Sequence, residues 1–460
     1  MGKRNNTTHS KILVINVVLV CSLVVFVIAF VSRTGMIKNL NEEADAQVES
    51  VQSQAVKKLM VEGIFLDRDG AAITVAGEPG AAAGLVDPPV YSILVGYNAP
   101  YSYGTSGLRK KFENYLFSTD KEKNYTGDNI QLTTDNELSR FCYELLGEEI
   151  GSIVVLDNKT GDVLAAVSRG HEEIDYDANQ ISSCYEQYAA IPSFFLHRAF
   201  LASDPPGSTG KIYTACALSE SGNLNFVHED NGKYFGIDNA GGYHYGPVGI
   251  TKAFTKSINT YFASSADMVG IECMENIYKA FGLGEDIALE FTTLSSVYEL
   301  ETDTDLRYAG FGQGKTLISP LHLTMSLSDL INDGVMYEPH IMLSRYDGIT
   351  GALLYTREVT VLKENVVSEK TANKLKDMLS KAAASYGLAG KGTVYAKTGT
   401  AEVSPREEDP GAYHIYILVG TEEYSCIISI DRTDKGSGSL KPLAQQLLDY
   451  LESEQWKGGN

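Results

Sequence analysis

Positive charge is in short supply in this sequence: 38 lysines and arginines stand against 59 aspartates and glutamates, a formal net charge of −21, and the isoelectric point is near 4.8. No basic stripe runs through the chain that could displace counterions from a polyanion, which excludes nucleic acid as a partner. Cysteine is sparse as well. The six, at positions 21, 142, 184, 216, 273 and 426, show no C-x-x-C or other metal spacing, and no two of the eight histidines have helix-ligand spacing. A zinc site is therefore not encoded, and buried free thiols are expected. No fixed-period repeat is present, which sets aside solenoids and propellers. A length of 460 residues suffices for two or three domains with a large core.

Long apolar runs are absent except for one. Ile12 to Val31 holds twenty residues without a charge, long enough to cross the hydrocarbon core of a bilayer as a helix. Lys3, Arg4 and Lys11 precede it, and acidic Glu42, Glu43 and Asp45 come after Arg33 and Lys38, so the positive-inside bias places the N-terminus in the cytoplasm and the bulk outside. A cleavable signal peptide is the competing reading, but the run exceeds a usual h-region and no clear small-x-small site ends it. Five of the cysteines follow the run, so on export at least one is unpaired. The expected organisation is a cytoplasmic tail at 1–11, an anchor at 12–32, a helical stalk and small N-terminal domain at 33–147, and a larger domain at 148–456. The stalk is read from Leu40, Ala44, Val48, Val51, Ala55 and Leu59, a single helical stripe. Apolar Ile153–Leu156, turn residues Asp157 to Gly161 and apolar Val163–Val167 read as a hairpin that opens the larger domain. A helical middle follows, then a strand ending near Ala401, strands Tyr413–Val419 and Ser425–Ile430, and an amphipathic helix Leu440–Leu451. The fold class is α/β of the α+β type, with mainly antiparallel strands and segregated helices.

Chemistry concentrates at Pro206-Gly207-Ser208-Thr209-Gly210-Lys211, which opens an apolar helix. Three residues apart on a helix, Ser208 and Lys211 emerge as neighbours, and a desolvated amine beside a hydroxyl can take its proton. Ser118-x-x-Lys121 has the same spacing but lies in a polar, charged stretch with no apolar helix to hold it. Ser257-Ile258-Asn259 precedes another apolar helix and offers a hydroxyl to relay a proton and an amide to hold a carbonyl. Its competitor, Ser221-Gly222-Asn223, lies thirteen residues beyond Ser208 on the same helix, about 20 Å away, with Gly222 as the helix terminator. Lys397-Thr398-Gly399-Thr400 follows apolar Val394-Tyr395-Ala396 and reads as a strand whose two threonines share a face beside an ammonium, a pattern that suits a carboxylate. Gly399 leaves room for an extended peptide to approach the backbone. Lys159-Thr160-Gly161 belongs instead to the hairpin turn. Gly310 to Thr316 imitates a phosphate loop but has Ala309 where the first glycine belongs.

Taken in order, Ser208-x-x-Lys211, Ser257-x-Asn259 and Lys397-Thr398-Gly399-Thr400 resemble the three motifs of the penicillin-binding proteins. Phe311-Gly312-Gln313-Gly314, Ser319-Pro320-Leu321 and Asn332-Asp333-Gly334 match as well, and Gly63 to Gly70 is similar to the opening of the monofunctional, class B members, with Glu62 where they usually carry arginine. The resemblance implies a transpeptidase/serine β-lactamase-like domain with a five-stranded sheet flanked by helices. It implies a D,D-transpeptidase that cross-links peptidoglycan stem peptides ending in D-Ala-D-Ala, and acylation by β-lactam antibiotics. By the same resemblance Ser208 is the nucleophile, Lys211 the base, Ser257 a proton relay and Asn259 a hold on the donor peptide. Lys397, Thr398 and Thr400 bind the terminal carboxylate, and the N–H groups of Ser208 and Thr400 form the oxyanion hole. No metal or organic cofactor is implied. No segment before Gly147 looks like a glycosyltransferase, so the implied partner is a membrane glycosyltransferase of the shape, elongation, division and sporulation family. Gly210 and His414-Ile415-Tyr416-Ile417 depart from the family pattern, at positions that shape the pocket. A β-lactam sensor and a catalytically idle scaffold are the rival readings. The first lacks room for a cytoplasmic output before Ile12, and the second should have lost a catalytic residue.

Overall fold

The computed structural model describes residues 55–99, 103–402, 413–453 and 456. The expected anchor and nearly all of the expected stalk lie outside them; among the described residues no helix is long and apolar enough to cross a membrane.

In chain order the strands that matter here are β1 (Phe65–Leu66), β2 (Asn129–Leu132), β3 (Gly151–Asp157), β4 (Val163–Arg169), β5 (Met342–Tyr346), β6 (Leu353–Thr356), β7 (Tyr395–Glu402), β8 (Tyr413–Gly420) and β9 (Tyr424–Thr433). The helices are α1 (Asn136–Leu146), α2 (Lys211–Glu220), α3 (Ile250–Lys256), α4 (Asn259–Ala280), α5 (Pro320–Ile331), α6 (Glu369–Tyr386) and α7 (Lys441–Leu451).

The central sheet has the order β7-β8-β9-β3-β4, every neighbour antiparallel. Its hairpin β3–β4 is closed by Asp157, whose Oδ1 accepts from the N–H of Lys159 at 2.8 Å and of Thr160 at 3.0 Å. This is the local chemistry that keeps Lys159-Thr160-Gly161 in a turn. Six of the seven residues in each of β3 and β4 are buried, so both sheet faces are covered, and the sequence shows apolar runs rather than alternation. Helix α5 packs on β3, β8 and β9, and α6 on β7. Helices α1 and α7 pack on the sheet as a second group, joined by stacked rings of Phe141 and Tyr450 with centroids 4.1 Å apart. Every residue of α5 is buried, with polar members that meet partners inside the fold, as His322 does with Ser296 and the Phe281 carbonyl and Ser326 with Tyr213; Ser319 Oγ caps it by accepting from the His322 N–H.

A second sheet, β1-β2-β5-β6, joins strands that precede Gly147 to strands that lie some two hundred residues beyond it. Gly147 ends α1, yet packing continues across it, and Val61 onward forms one compact unit. The return of β5 to pair with β2 is a long-range event with no signature in the local sequence.

Glu62 and Arg109 tie this region together. Both side chains are fully buried, with Arg109 Nε 2.8 Å from Glu62 Oε1. Glu62 Oε2 also accepts from the Ala83 N–H and Asn98 Nδ2, each at 2.9 Å, and Arg109 donates to the carbonyls of Gly96 and Ala83. A buried charge stripped of its partner is strongly unfavourable. Arg109→Ala is therefore expected to lower the unfolding free energy by about 3–5 kcal/mol in denaturant titrations. A loss below about 1 kcal/mol, the range of a surface pair, would contradict this reading. Of the cysteines described, Cys142, Cys216 and Cys426 are buried, Cys184 and Cys273 half-buried, and all five are free.

Candidate active site

The nucleophile segment enters as a single 3₁₀ turn, Gly207–Gly210, before α-helical geometry begins at Lys211. Gly207 has φ +54°, and a Cβ there would sit 2.6 Å from the backbone of Thr400, so only glycine admits this approach. Three further glycines close the same joint. A Cβ on Gly399 would meet the Pro206 carbonyl at 2.8 Å, one on Gly210 the Cα of Gly312 at 2.9 Å, and one on Gly312 the Gly207 carbonyl at 1.8 Å. The gap left by Gly399 is thus occupied by the nucleophile turn, not held open for a peptide. The small residue at 210 likewise has a physical reason, the close pass of the Phe311–Gly314 turn.

Lys211 is fully buried, and four oxygens surround its Nζ: Ser208 Oγ at 2.8 Å, Ser257 O at 2.8 Å, Ser257 Oγ at 3.0 Å and Asn259 Oδ1 at 2.7 Å. Ser257 caps α3 in the left-handed conformation (φ 57°, ψ 46°), which costs a non-glycine residue energy. Here it turns the Ser257 carbonyl and hydroxyl toward the same amine. Asn259 donates through Nδ2 to the Asp238 carbonyl at 3.0 Å, so its Oδ1 is left to face Lys211. A neutral amine has two N–H donors and one lone pair. The Ser257 carbonyl and Asn259 Oδ1 can only accept, so they take the two N–H groups and the lone pair is left to the Ser208 hydroxyl.

Lys397 projects from β7 on the Gly399 side, opposite to Thr398 and Thr400, and is also fully buried. Its Nζ donates to Ser257 Oγ at 3.1 Å and to the Thr398 carbonyl at 3.0 Å. Ser257 Oγ therefore bridges the two lysines. Thr398 Oγ1 lies 3.3 Å from Tyr386 Oη, and Thr400 Oγ1 lies 2.9 Å from Ser437 Oγ, so the three polar side chains of this motif face different neighbours rather than one common point. β7 is the edge strand of its sheet. The Thr398 N–H points outward to Tyr386 Oη at 3.5 Å, and two residues on, the Thr400 N–H faces the same open edge.

Burial, and then the nearby charge of Lys397, hold the Lys211 ammonium well below the ordinary lysine range. Burial also lowers Lys397, with Tyr386 acting in the opposite sense. Burial alone would raise the Tyr386 phenol, but Lys397 and the bonds to Thr398 bring it below its usual value.

Two residues that support this cluster were not legible in the sequence. Tyr386, at the end of α6, touches Thr398 from outside the motif. Asp230 lies twenty-nine positions before Asn259 and gathers the Thr260 hydroxyl at 2.7 Å, the Tyr245 N–H at 2.7 Å, the Gly232 N–H at 3.0 Å and Asn239 Nδ2 at 3.0 Å. It thereby anchors the 230–245 loop, which presents the Asp238 carbonyl to Asn259, and it pins the residue next to Asn259. Only its place before an Asn-Gly pair was visible, and that reads as a turn. The decoys fall elsewhere: Ser118 lies in a loop where it accepts from the Asp120 N–H, Ser221 Oγ donates back to the Ala217 carbonyl at the end of α2, and Lys159 Nζ donates to Asn332 Oδ1 at 2.7 Å. His414 lies 3.5 Å from Asp204, just before the nucleophile turn. Burial would depress its imidazole, but Asp204 raises it above the usual histidine value.

Paired buried lysines around a serine, on a helix packed against the edge of an antiparallel five-stranded sheet, define a serine acyl-transfer site. A family model described as the penicillin binding protein transpeptidase domain matches residues 151–449, and the chain belongs to that family. It is 26% identical over 371 residues to peptidoglycan D,D-transpeptidase MrdA of Haemophilus influenzae, covering 70% of this chain and 56% of that protein. It is 27% identical over 346 residues to penicillin-binding protein 3 of Bacillus subtilis, covering 68% and 50%. The chain thus spans about half the length of these curated relatives. Its fold is similar to that of penicillin-binding protein A from M. tuberculosis, solved as a ceftriaxone acyl-enzyme complex, with a TM-score of 0.77, 20% identity, and coverage of 86% of this chain and 99% of that one.

Proposed function

We propose that this chain is a serine D,D-transpeptidase that cross-links peptidoglycan stem peptides and is acylated by β-lactams. The observation that carries the reading is the Lys211 amine, desolvated and held 2.8 Å from Ser208 Oγ with its N–H groups engaged by Ser257 and Asn259. Ser208 Oγ attacks the carbonyl of the penultimate D-alanine as its proton passes to Lys211. The N–H groups of Ser208 and Thr400 hold the oxyanion. The proton then moves through Ser257 Oγ, which touches both lysines, to the nitrogen of the departing D-alanine. Asn259 holds the donor peptide through the second N–H of its Nδ2, while Thr398 and Thr400 on one face of β7, with the Lys397 charge on the other, attract its carboxylate. An amine of a second stem resolves the ester and returns its proton along the same relay. The steps use protein groups alone.

The apolar run at 12–31 supports a single-pass anchor with the catalytic domain outside the membrane. Glycan polymerisation then falls to a separate protein, for which a membrane glycosyltransferase of the shape, elongation, division and sporulation family is the proposed partner, in cell-shape or division work. The test is peptide mapping of the protein after labelling with penicillin. The adduct is expected on Ser208 and absent from Ser208→Ala; an adduct on Ser118, or label retained by Ser208→Ala, would overturn the proposal.

A further inference from the structure

A cavity of about 530 Å³ lies away from the serine centre, between the helices Pro88–Val95 and Gly107–Lys111 on one side and the segment from Tyr176 to Leu201 on the other. Its volume is within the range of about 300–1,000 Å³ typical of small-molecule sites, and it sits where two parts of the fold meet, a usual location for them. Tyr97, Phe195, Leu201 and Phe291 form apolar walls, with the Tyr97 and Phe195 rings edge-on at 6.3 Å.

Two buried polar side chains line this cavity with their hydrogen-bonding capacity unmet or weakly met. Tyr176 is 5% exposed and its hydroxyl has no hydrogen-bond partner among the described residues; the His197 ring, 1% exposed, makes no close hydrogen bond and has only the carbonyls of His197 and Ala166 near it as acceptors. Buried polar groups in folded proteins are nearly always satisfied, because an unpaired one forfeits its bonds to water without replacing them. Burial holds the His197 ring neutral, its pKa lowered to about 3 although the carbonyls of His197 and Ala166 act in the opposite sense; a neutral imidazole carries one donor and one acceptor. At the mouth stand Lys110 and Lys111, both exposed. They belong to Arg109-Lys110-Lys111, the one run of three consecutive cations in a chain of net charge −21. Arg109 turns inward to Glu62 and Lys110 pairs with Glu113, whereas Lys111 has no counter-ion among the described residues.

We propose that this cavity is a second binding site, separate from the serine centre, for an organic acid with a flat apolar body: the body lies among Tyr97, Phe195 and Phe291, a polar group meets His197 and Tyr176, and the acid faces Lys111. The site assembles from both sides of Gly147, so its occupant bridges the N-terminal segment and the segment leading to Ser208. His197 precedes the short helix Arg198–Leu201, and seven residues later the chain reaches the nucleophile.

The probe is 4-benzoylbenzoate, an aromatic acid that crosslinks to its surroundings on irradiation, applied to the full-length chain and followed by peptide mapping. Saturable crosslinking to peptides that contain Ile93–Lys111 or Phe195–Leu201 is expected. Lys111→Glu, a change on the surface that leaves the fold intact, replaces attraction by repulsion at the acid and is expected to weaken half-saturation about tenfold. Crosslinking confined to peptides around Ser208 or Lys397 would overturn the proposal, since the probe would then occupy the carboxylate position of the serine centre. Absence of saturable crosslinking, or equal half-saturation in wild type and Lys111→Glu, would overturn it as well.

Discussion

Lys211→Ala is expected to slow acylation of Ser208 by labelled penicillin about a hundred- to ten-thousand-fold, the usual effect of removing a general base, while Lys159→Ala leaves the rate near that of the unaltered protein. Both residues sit in motifs of the right composition, and the difference between them is tertiary. Lys159 Nζ is committed to Asn332 at 2.7 Å in a hairpin turn; Lys211 Nζ is enclosed by Ser208, Ser257 and Asn259. The pH profile adds a second readout. Lys211 accepts a proton only when neutral, and its pKa is well below that of an ordinary lysine, so the rate should fall as pH drops through that lowered value and stay high above it. An acid limb placed where an unperturbed lysine titrates, or equal rates in the two variants, would remove Lys211 from the role of base.

The central sheet was legible because its strands are short apolar runs between turn residues, and the β3–β4 hairpin follows directly from Asp157 and Gly161. The three candidate motifs, which the fold brings into contact, were legible because each pairs a reactive side chain with a local scaffold: a helix start for Ser208, a helix junction for Ser257, a strand for Lys397. What joins the motifs was not. Gly207, Gly210, Gly312 and Gly399 come from three distant segments, and each reads alone as a turn or as a weak point in a helix or strand. Only in the folded chain do they become one close-packed joint between the nucleophile turn and β7. Asp230 and Tyr386 escaped for the same reason, since their partners lie in other elements. The Glu62–Arg109 pair shows a related limit. An acid replaces the arginine usual in relatives, and nothing in the local sequence says that a guanidinium forty-seven residues away meets it in the interior.

The second large effect concerns the fate of the acyl-enzyme. The penicilloyl adduct on Ser208 is expected to persist long after excess drug is removed, because ester hydrolysis needs a base to activate water and the site does not supply one. In class A β-lactamases a glutamate orients the deacylating water; downstream of Asn259 the Glu-x-x-x-Asn pattern occurs at Glu272–Asn276 on α4 and Glu369–Asn373 on α6, and both glutamates are exposed rather than turned into the serine centre. Among the described residues, the side-chain hydrogen bonds of Ser208, Lys211, Ser257, Asn259 and Lys397 include no carboxylate. Asp238 offers Asn259 only its backbone carbonyl. Asp230 is the acid tied to the residue beside Asn259, and it is a poor base. Burial would raise its carboxyl, but bonds from Thr260, Gly232, Tyr245 and Asn239 hold it below the usual range, and those four donors occupy its oxygens. The second lysine does not substitute, since Lys397 Nζ is spent on Ser257 Oγ and the Thr398 carbonyl. The geometry thus favours forming the ester over hydrolysing it, leaving release to an amine that brings its own nucleophile. The measurement is loss of label after acylation and removal of free penicillin. Retention marks a transpeptidase, whereas release within seconds, with penicilloic acid accumulating in solution, would mean that a hydrolytic base acts on Ser208 and that the chain works as a β-lactamase.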